Sequence, residues 1–359
     1  MLVIVFGSAG GSSERRWFVR FIALVWVGVL AALASAAYAA TPELQRYRYS
    51  QIQMGVPMEL ILYAADEPTA NKGAQAAYER IKKLNSVLSD YDPRSELSRL
   101  SDSAGQGRGV PVGPDLWLVL SRSQLLAERT GGAFDVTVGP YVKLWRRARR
   151  SKEFPPADRM AEARAAVGFR HLRLDPQNHT ATLEKPGMRL DLGGIAMGYA
   201  CDEALRVLRE LGITRSLIDA SGDILVGDAP PGAEGWKIGI APLDVQDGPP
   251  RRYVLVKNAA VTTAGDAAQF VEIGGRRYSH IVDPHTGLGL STHSSVTVIA
   301  PDCITADALD TAANVLGPTE GLKLIEQTPE AAAFIVEIVG GRQKIYESSR
   351  LGKFLIDRP

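Results

Sequence analysis

The chain has 359 residues, 45% of them hydrophobic and 23% charged, enough apolar material for a sizeable core in one long domain or two. Its net charge of +1 offers no polyanion-binding surface, which excludes nucleic acid as an expected partner. Two cysteines, Cys201 and Cys303, are too few for a disulfide framework and read as small buried residues, a bridge between them being the alternative in an exported protein.

The N-terminus differs from the rest. Arg15-Arg16 precede an apolar run from Phe21 to Ala36, and Ala37-Tyr38-Ala39 supplies a small-residue cleavage site. Basic region, apolar region and A-x-A make a secretory signal. Arg15 to Arg20 also resembles the twin-arginine export pattern, with Glu14 where Ser or Thr is usual. The expectation is a signal peptide over residues 1–39 and one folded domain over 40–359, working in the periplasm of a bacterium. A retained membrane anchor is the alternative.

Tyr47 to Ala64 predicts one or two strands, broken near Gly55 and Pro57. Ala74 to Leu88 predicts a helix with Tyr78, Ile81, Leu84 and Leu88 on one face. Ser95 to Leu100 reads as a short turn or helix. Asp115 is placed to cap a helix running to Arg129 and stopped by Gly131-Gly132. Ala133 to Pro140 is a loop carrying an aromatic and a carboxylate. Pro156 to Val167 is a short helix, and His171 to Leu174 with Ala181 to Glu184 a hairpin. A β-like run, Met188 to Leu192, passes through Gly193-Gly194 into a helix that starts at Ile195 and closes at Gly212. Such a turn can bare backbone N–H groups to an anion, and Asp191 beside it can hold a cation or a polar ligand group. A purely structural turn is equally consistent with the spacing.

The remainder is β-rich, with strands expected at Ser216–Ile218, Ile224–Val226, Trp236–Ile240, Tyr253–Lys257, Phe270–Ile273, Arg277–Ile281 and Ser295–Ile299. Thr305 to Leu316 predicts a helix ended by Gly317-Pro318, and Glu320 to Glu326 a second one. Ala333–Val339 and Gln343–Glu347 close the chain as a hairpin around Gly340-Gly341. Strands and helices mix without a βαβ rhythm, so the fold class is α+β, with mixed, largely antiparallel sheets packed against helices.

Three clusters carry candidate chemistry. Asp307 and Thr311 stand four apart near a helix start, so both oxygens face one way and can share a hard cation such as Mg2+. The alternative is a helix cap with a solvated Asp. His280 alternates with apolar residues on an expected strand before Asp283-Pro284, where it is either a general base or a structural histidine. Gly222-Asp223 and Gly265-Asp266 suit strand-end turns. G-x-G-x-x-G, G-x-S-x-G, H-E-x-x-H and C-x-x-C are all absent.

Seven pieces in order, from about Tyr47 to the C-terminus, resemble the ApbE family, the FAD:protein FMN transferases. They are Met54-Gly55, Ser89 to Ser98, Gly132 to Pro140, Asp191 to Ala196, Gly222-Asp223-Ile224, Ser279 to Pro284 and Ala306 to Leu309. The resemblance implies an enzyme that binds FAD and Mg2+ and moves FMN onto a Ser or Thr hydroxyl of a target flavoprotein, releasing AMP. It implies an FAD site in a cleft between two lobes, lined by Met54, Tyr91, Ala133, Phe134, Asp135, Asp191, Met197, His280 and Ile281. By the same implication Asp307, Thr311 and the Gly194 carbonyl hold the metal, with Asp310 a possible further ligand, and His280 and Asp307 are the catalytic residues. The chain departs from the family pattern at Met197, where a Lys is usual, at His285, where an Arg is usual, and at Ser221, where a Gly is usual. An FAD pyrophosphatase using the same metal site, and a non-catalytic flavin-binding protein, remain alternatives.

Overall fold

The computed structural model describes residues 43–243, 248–267 and 269–357. The expected signal segment therefore lies outside the described residues. No helix among the described residues is long and apolar enough to cross a membrane.

The first strands, β1 (Gln45–Gln53) and β2 (Val56–Ala64), join through Met54-Gly55. Both turn residues have positive φ, 49° and 84°, as a two-residue hairpin of matching twist requires. Helix α1 (Glu67–Leu88) starts two turns before the expected Ala74, because Asp66 caps it and Pro68 fits its first turn. Helix α2 (Glu96–Asp102) is capped by Ser95. After β3 (Val110–Pro111) comes α3 (Pro114–Arg129), whose N-cap is Gly113. Asp115 is thus no cap. It accepts hydrogen bonds from Arg80 and from Tyr199 Oη instead. Helix α4 (Gly139–Ser151) is absent from the expectations, although Pro140 in its first turn and Tyr141, Trp145 and Ala148 at helical spacing mark it.

Helix α5 (Ala157–Ala165) and the hairpin of β4 (Leu172–Asp175) and β5 (Thr180–Leu183) match their expected places. The run Met188 to Leu192 is not a strand. It makes a single parallel bridge, Val138 with Arg189, while Met188 N donates to Lys185 O, Leu190 N to Ser101 Oγ and Asp191 N to Val136 O. Helix α6 (Ala196–Glu210) follows. Then come β6 (Ser216–Ala220), β7 (Asp223–Val226), β8 (Trp236–Ile240), β9 (Arg252–Val256) and β10 (Ala259–Gly265). The pair β11 (Phe270–Ile273) and β12 (Arg276–Ser279) turns at Gly274-Gly275, and β13 (His293–Ala300) leads into α7 (Cys303–Glu326). The two helices expected in this region run together across a break at Gly317, whose φ is 74°. The chain closes with β14 (Ala332–Val339), β15 (Arg342–Glu347) and β16 (Leu355–Ile356).

Eight strands form one sheet in the order β1-β2-β6-β7-β10-β13-β14-β15, every neighbouring pair antiparallel. Period-two alternation loads both faces. Leu60, Leu62, Ile218, Val296, Val298 and Ile335 pack with α1, α6 and α7. Ile61, Leu217, Ile299 and Phe334 face the other way, against Trp236, Ile238 and Val254 of the small sheet β16-β9-β8. The α+β class with antiparallel sheets is as expected. Cys201 and Cys303 are both free and buried, also as expected.

Candidate active site

A cavity of about 360 Å³ opens among the β1–β2 turn, the start of α6, one face of α4 and the segment after β12. Met54, Tyr91, Ala133, Phe134, Asp135, Asp191, Gly194, Met197, His280, Ile281 and Thr311 all line it. Residues as far apart in sequence as Met54 and Val315 are thus brought to one surface.

The α4 wall is built at helical spacing. Val142, Arg146 and Arg149 share one inward stripe. Arg146 donates to Asp191 Oδ2 at 2.8 Å and also pairs with Asp90. Its guanidinium lies 4.1 Å from the centroid of the Tyr91 ring. Tyr91 is 75% exposed, so its outer face is open to a flat ligand. Burial and the neighbouring Asp90 push the Asp191 carboxyl up, and Arg146 pulls it back.

The glycine turn spends several of its N–H groups within the protein. Gly193 N donates to Asp191 Oδ1 at 2.9 Å, and Ile195 N and Ala196 N donate to Leu192 O. Gly198 N, in the first turn of α6, donates to Asp307 Oδ2 at 2.9 Å. The anion at this helix start is therefore the protein's own Asp307. Asp135 is similarly engaged: Oδ1 accepts from Thr137 N and Oγ1, and Oδ2 from Phe169 N. Its carboxylate ties the 133–137 loop to residue 169, which presents Ala133 and Phe134 to the cavity.

Gly194 and Thr311 meet closely. A Cβ on Gly194 would lie 2.8 Å from Thr311 Oγ1, so only glycine lets the turn approach α7 here. Asp307 and Asp310 are buried, 5% and 1% exposed, one turn and one residue before Thr311. The α7 cap is Asp302, which accepts from Thr305 N, so Asp307 is not the solvated cap that its spacing also allowed. Asp310 Oδ2 is buried and meets no hydrogen-bond geometry among the described residues, with the equally unpaired hydroxyl of Thr262 as its neighbour. Burial and repulsion from Asp223 push Asp307 well above the ordinary carboxylate range. Burial, then Asp307 and Asp223, do the same to Asp310. Asp223 itself is pushed up to about 7 by burial and by Asp219. An orphaned oxygen among crowded carboxylates and a hydroxyl is a hard-donor set suited to Mg2+.

His280 stands just after β12 rather than on it. Its N and Nδ1 both approach Gln269 O, at 3.0 and 3.1 Å. A carbonyl only accepts, so Nδ1 carries the proton and the neutral ring keeps a lone pair on Nε2. Burial, with Arg149 nearby, holds its pKa below the usual 6.5. Arg146, Arg149, Asp90 and Gln269 were not expected in the site. The signal for the two arginines was the helix opened by Pro140, which turns them to one side; Asp90 and Gln269 had no such signal.

The ApbE family model matches residues 54–335. The chain is 30% identical to an FAD:protein FMN transferase of Haemophilus influenzae over 279 residues, 76% of this chain and 81% of that one. It is 32% identical to one of Treponema pallidum over 308 residues, 81% of this chain and 84% of that one. The solved flavin transferase ApbE of Vibrio cholerae superposes with a TM-score of 0.77 at 27% identity, covering 87% of this chain and all of that one. An ApbE protein from Thermotoga maritima superposes with a TM-score of 0.76 at 28% identity. With its family model spanning most of the sequence and relatives at 30% identity or more over three quarters of it, the chain belongs to the ApbE family.

Proposed function

We propose that this chain is an FAD:protein FMN transferase, moving FMN from FAD to a Ser or Thr hydroxyl of a target flavoprotein with release of AMP. The observation that carries the reading is one cavity holding an open aromatic face at Tyr91, a neutral base at His280 and an oxygen-donor corner at Gly194 and Thr311. The hydroxyl oxygen of the target bonds to the FMN phosphorus, the pyrophosphate P–O bond breaks, and AMP leaves with the bonding electrons. Nε2 of His280, fixed through Nδ1 on Gln269 O, takes the hydroxyl proton. Tyr91 stacks on a flat ring of FAD, with Arg146 on its other face. Asp307, Asp310, Thr311 and the Gly194 carbonyl would hold Mg2+, which when bound supplies charge neutralisation and Lewis acidity at the phosphates.

Incubation with FAD, MgCl2 and a candidate flavoprotein, read by mass and by AMP release, tests the reading. Covalent flavin on the target with stoichiometric AMP is the expected result. AMP release without transfer would establish the pyrophosphatase instead, and neither product would leave only flavin binding. For location we infer export: the segment from Arg15 to Ala39 supports a mature chain that begins near Ala40 in the periplasm. N-terminal sequencing of the native protein tests this, and an intact N-terminus in the membrane fraction overturns it.

A further inference from the structure

Two arginines line the cavity, and they are in opposite electrostatic situations. Arg146 is shared between two carboxylates, Asp90 and Asp191. Arg149, one turn further along the same stripe of α4, has no carboxylate within ion-pair distance among the described residues. Its one polar contact there is a long one, 3.5 Å from Nη1 to Gln269 Oε1. Gln269 is also the residue whose carbonyl orients His280. Arg149 is half-buried, and burial and the neighbouring Arg146 and Arg150 act to depress its pKa. An unpaired guanidinium in a concave, partly desolvated wall calls for an anion. No lysine lines the cavity, and the start of α6 presents the uncharged Met197.

We propose that Arg149 is a binding residue for the pyrophosphate of FAD, reaching it from α4 in the cavity that also holds the oxygen-donor corner at Gly194 and Thr311. This rests on the flavin reading of the cavity and adds to it a cationic contact from the chain itself. A guanidinium can donate two parallel hydrogen bonds to phosphate oxygens, so the site favours Arg over Lys. Arg146 cannot fill the role while Asp90 and Asp191 hold it.

The experiment compares wild type, Arg149→Met and Arg149→Lys by equilibrium flavin fluorescence. The probes are FAD and riboflavin, which carries the same ring system without phosphate, each in EDTA and in MgCl2. Arg149→Met is expected to raise the Kd for FAD about ten- to a hundredfold in EDTA, the loss of a charge-assisted contact. Riboflavin binding should stay within about twofold, and Arg149→Lys should recover part of the FAD affinity. The unfolding midpoint should not move. If Met does not fold at this position, Arg149→Gln carries the same comparison. Unchanged FAD affinity, or equal losses for FAD and riboflavin, would overturn the assignment of Arg149 alone. A wild-type protein that binds neither flavin would overturn the flavin reading of the cavity as well.

Discussion

His280 acquires its chemistry from one carbonyl. Its ring could be a base or a packed side chain until Gln269 O fixes the tautomer and leaves Nε2 free. His280→Asn is expected to slow FMN transfer by about 10²- to 10⁴-fold, the usual contribution of a positioned base, while FAD binding persists. Single-turnover transfer beside fluorescence titration checks this; lost binding with intact chemistry at saturating FAD would make His280 a cofactor contact. Because the His280 pKa is depressed, the acidic limb of the kcat/KM profile should lie below 6.5. The acidic residues on α7 make a different case. Asp307→Ala should abolish Mg2+-dependent turnover yet leave the protein folded, since it removes a carboxylate that Asp223 repels. Thr311→Val should be milder, because it removes a neutral oxygen. Normal transfer by Asp307→Ala at limiting Mg2+ would refute the metal assignment.

Helices α6 and α7 are held together at Gly198. A Cβ there would lie 2.3 Å from Cys303 O and 2.9 Å from Asp307 Cβ, and the first of these is backbone that cannot rotate away. Gly198→Ala should therefore force the helices apart, destabilising the protein by about 1–3 kcal/mol. It should also weaken the N–H contact that holds Asp307 at 2.9 Å. Chemical denaturation measures the first effect and the Mg2+ dependence of turnover the second; a variant with wild-type stability and Mg2+ requirement would show that the helix pair is looser than its contacts imply. Two further carboxylate bonds brace the same junction, from Cys303 N and Ile304 N to Asp202. Opposite them, α4 divides its basic residues: Arg146 and Arg149 face the cavity, while Lys143, Arg147 and Arg150 are exposed.

The folded molecule concentrates uncompensated acid where α6, α7 and β7 meet. Burial pushes both Asp202 and Asp223 up to about 7, and Asp307 and Asp310 are raised too. A raised carboxyl keeps its proton in the native state at pH values where the unfolded chain has lost it. Its stabilisation is full below the ordinary 3.8, falls as pH rises between 3.8 and the folded value, and is gone above the latter. His280 acts oppositely around 6.5, but as one group against these four and the raised carboxyls of Asp135, Asp191 and Asp219. The metal-free protein should thus unfold at a higher temperature at pH 5.5 than at pH 8. MgCl2 at pH 8 should restore the difference by binding only the native state. Thermal melts in EDTA and in MgCl2 check both statements, and a higher melting temperature at pH 8 in EDTA would contradict the charge account.

Much of the architecture was legible from local pattern. Glycine-pair turns, period-two strands and apolar helix faces placed most elements, and the family resemblance pointed to several of the residues that line the cavity, Met54, Tyr91, Asp191 and His280 among them. Local pattern failed where a long-range partner decided the outcome. Asp115 has the look of a cap, but Arg80 and Tyr199 claim it. Met188 to Leu192 has the composition of a strand, but no neighbour forms a ladder with it. Gly193-Gly194 has the form of an anion nest, but Asp191 and Asp307 already occupy donors around it. Strands and helices follow from the chemistry of residues a few positions apart, so sequence suffices for them. Which carboxylate is paired, which arginine is left unpaired and which histidine nitrogen is free depend on groups that only folding brings within hydrogen-bond reach.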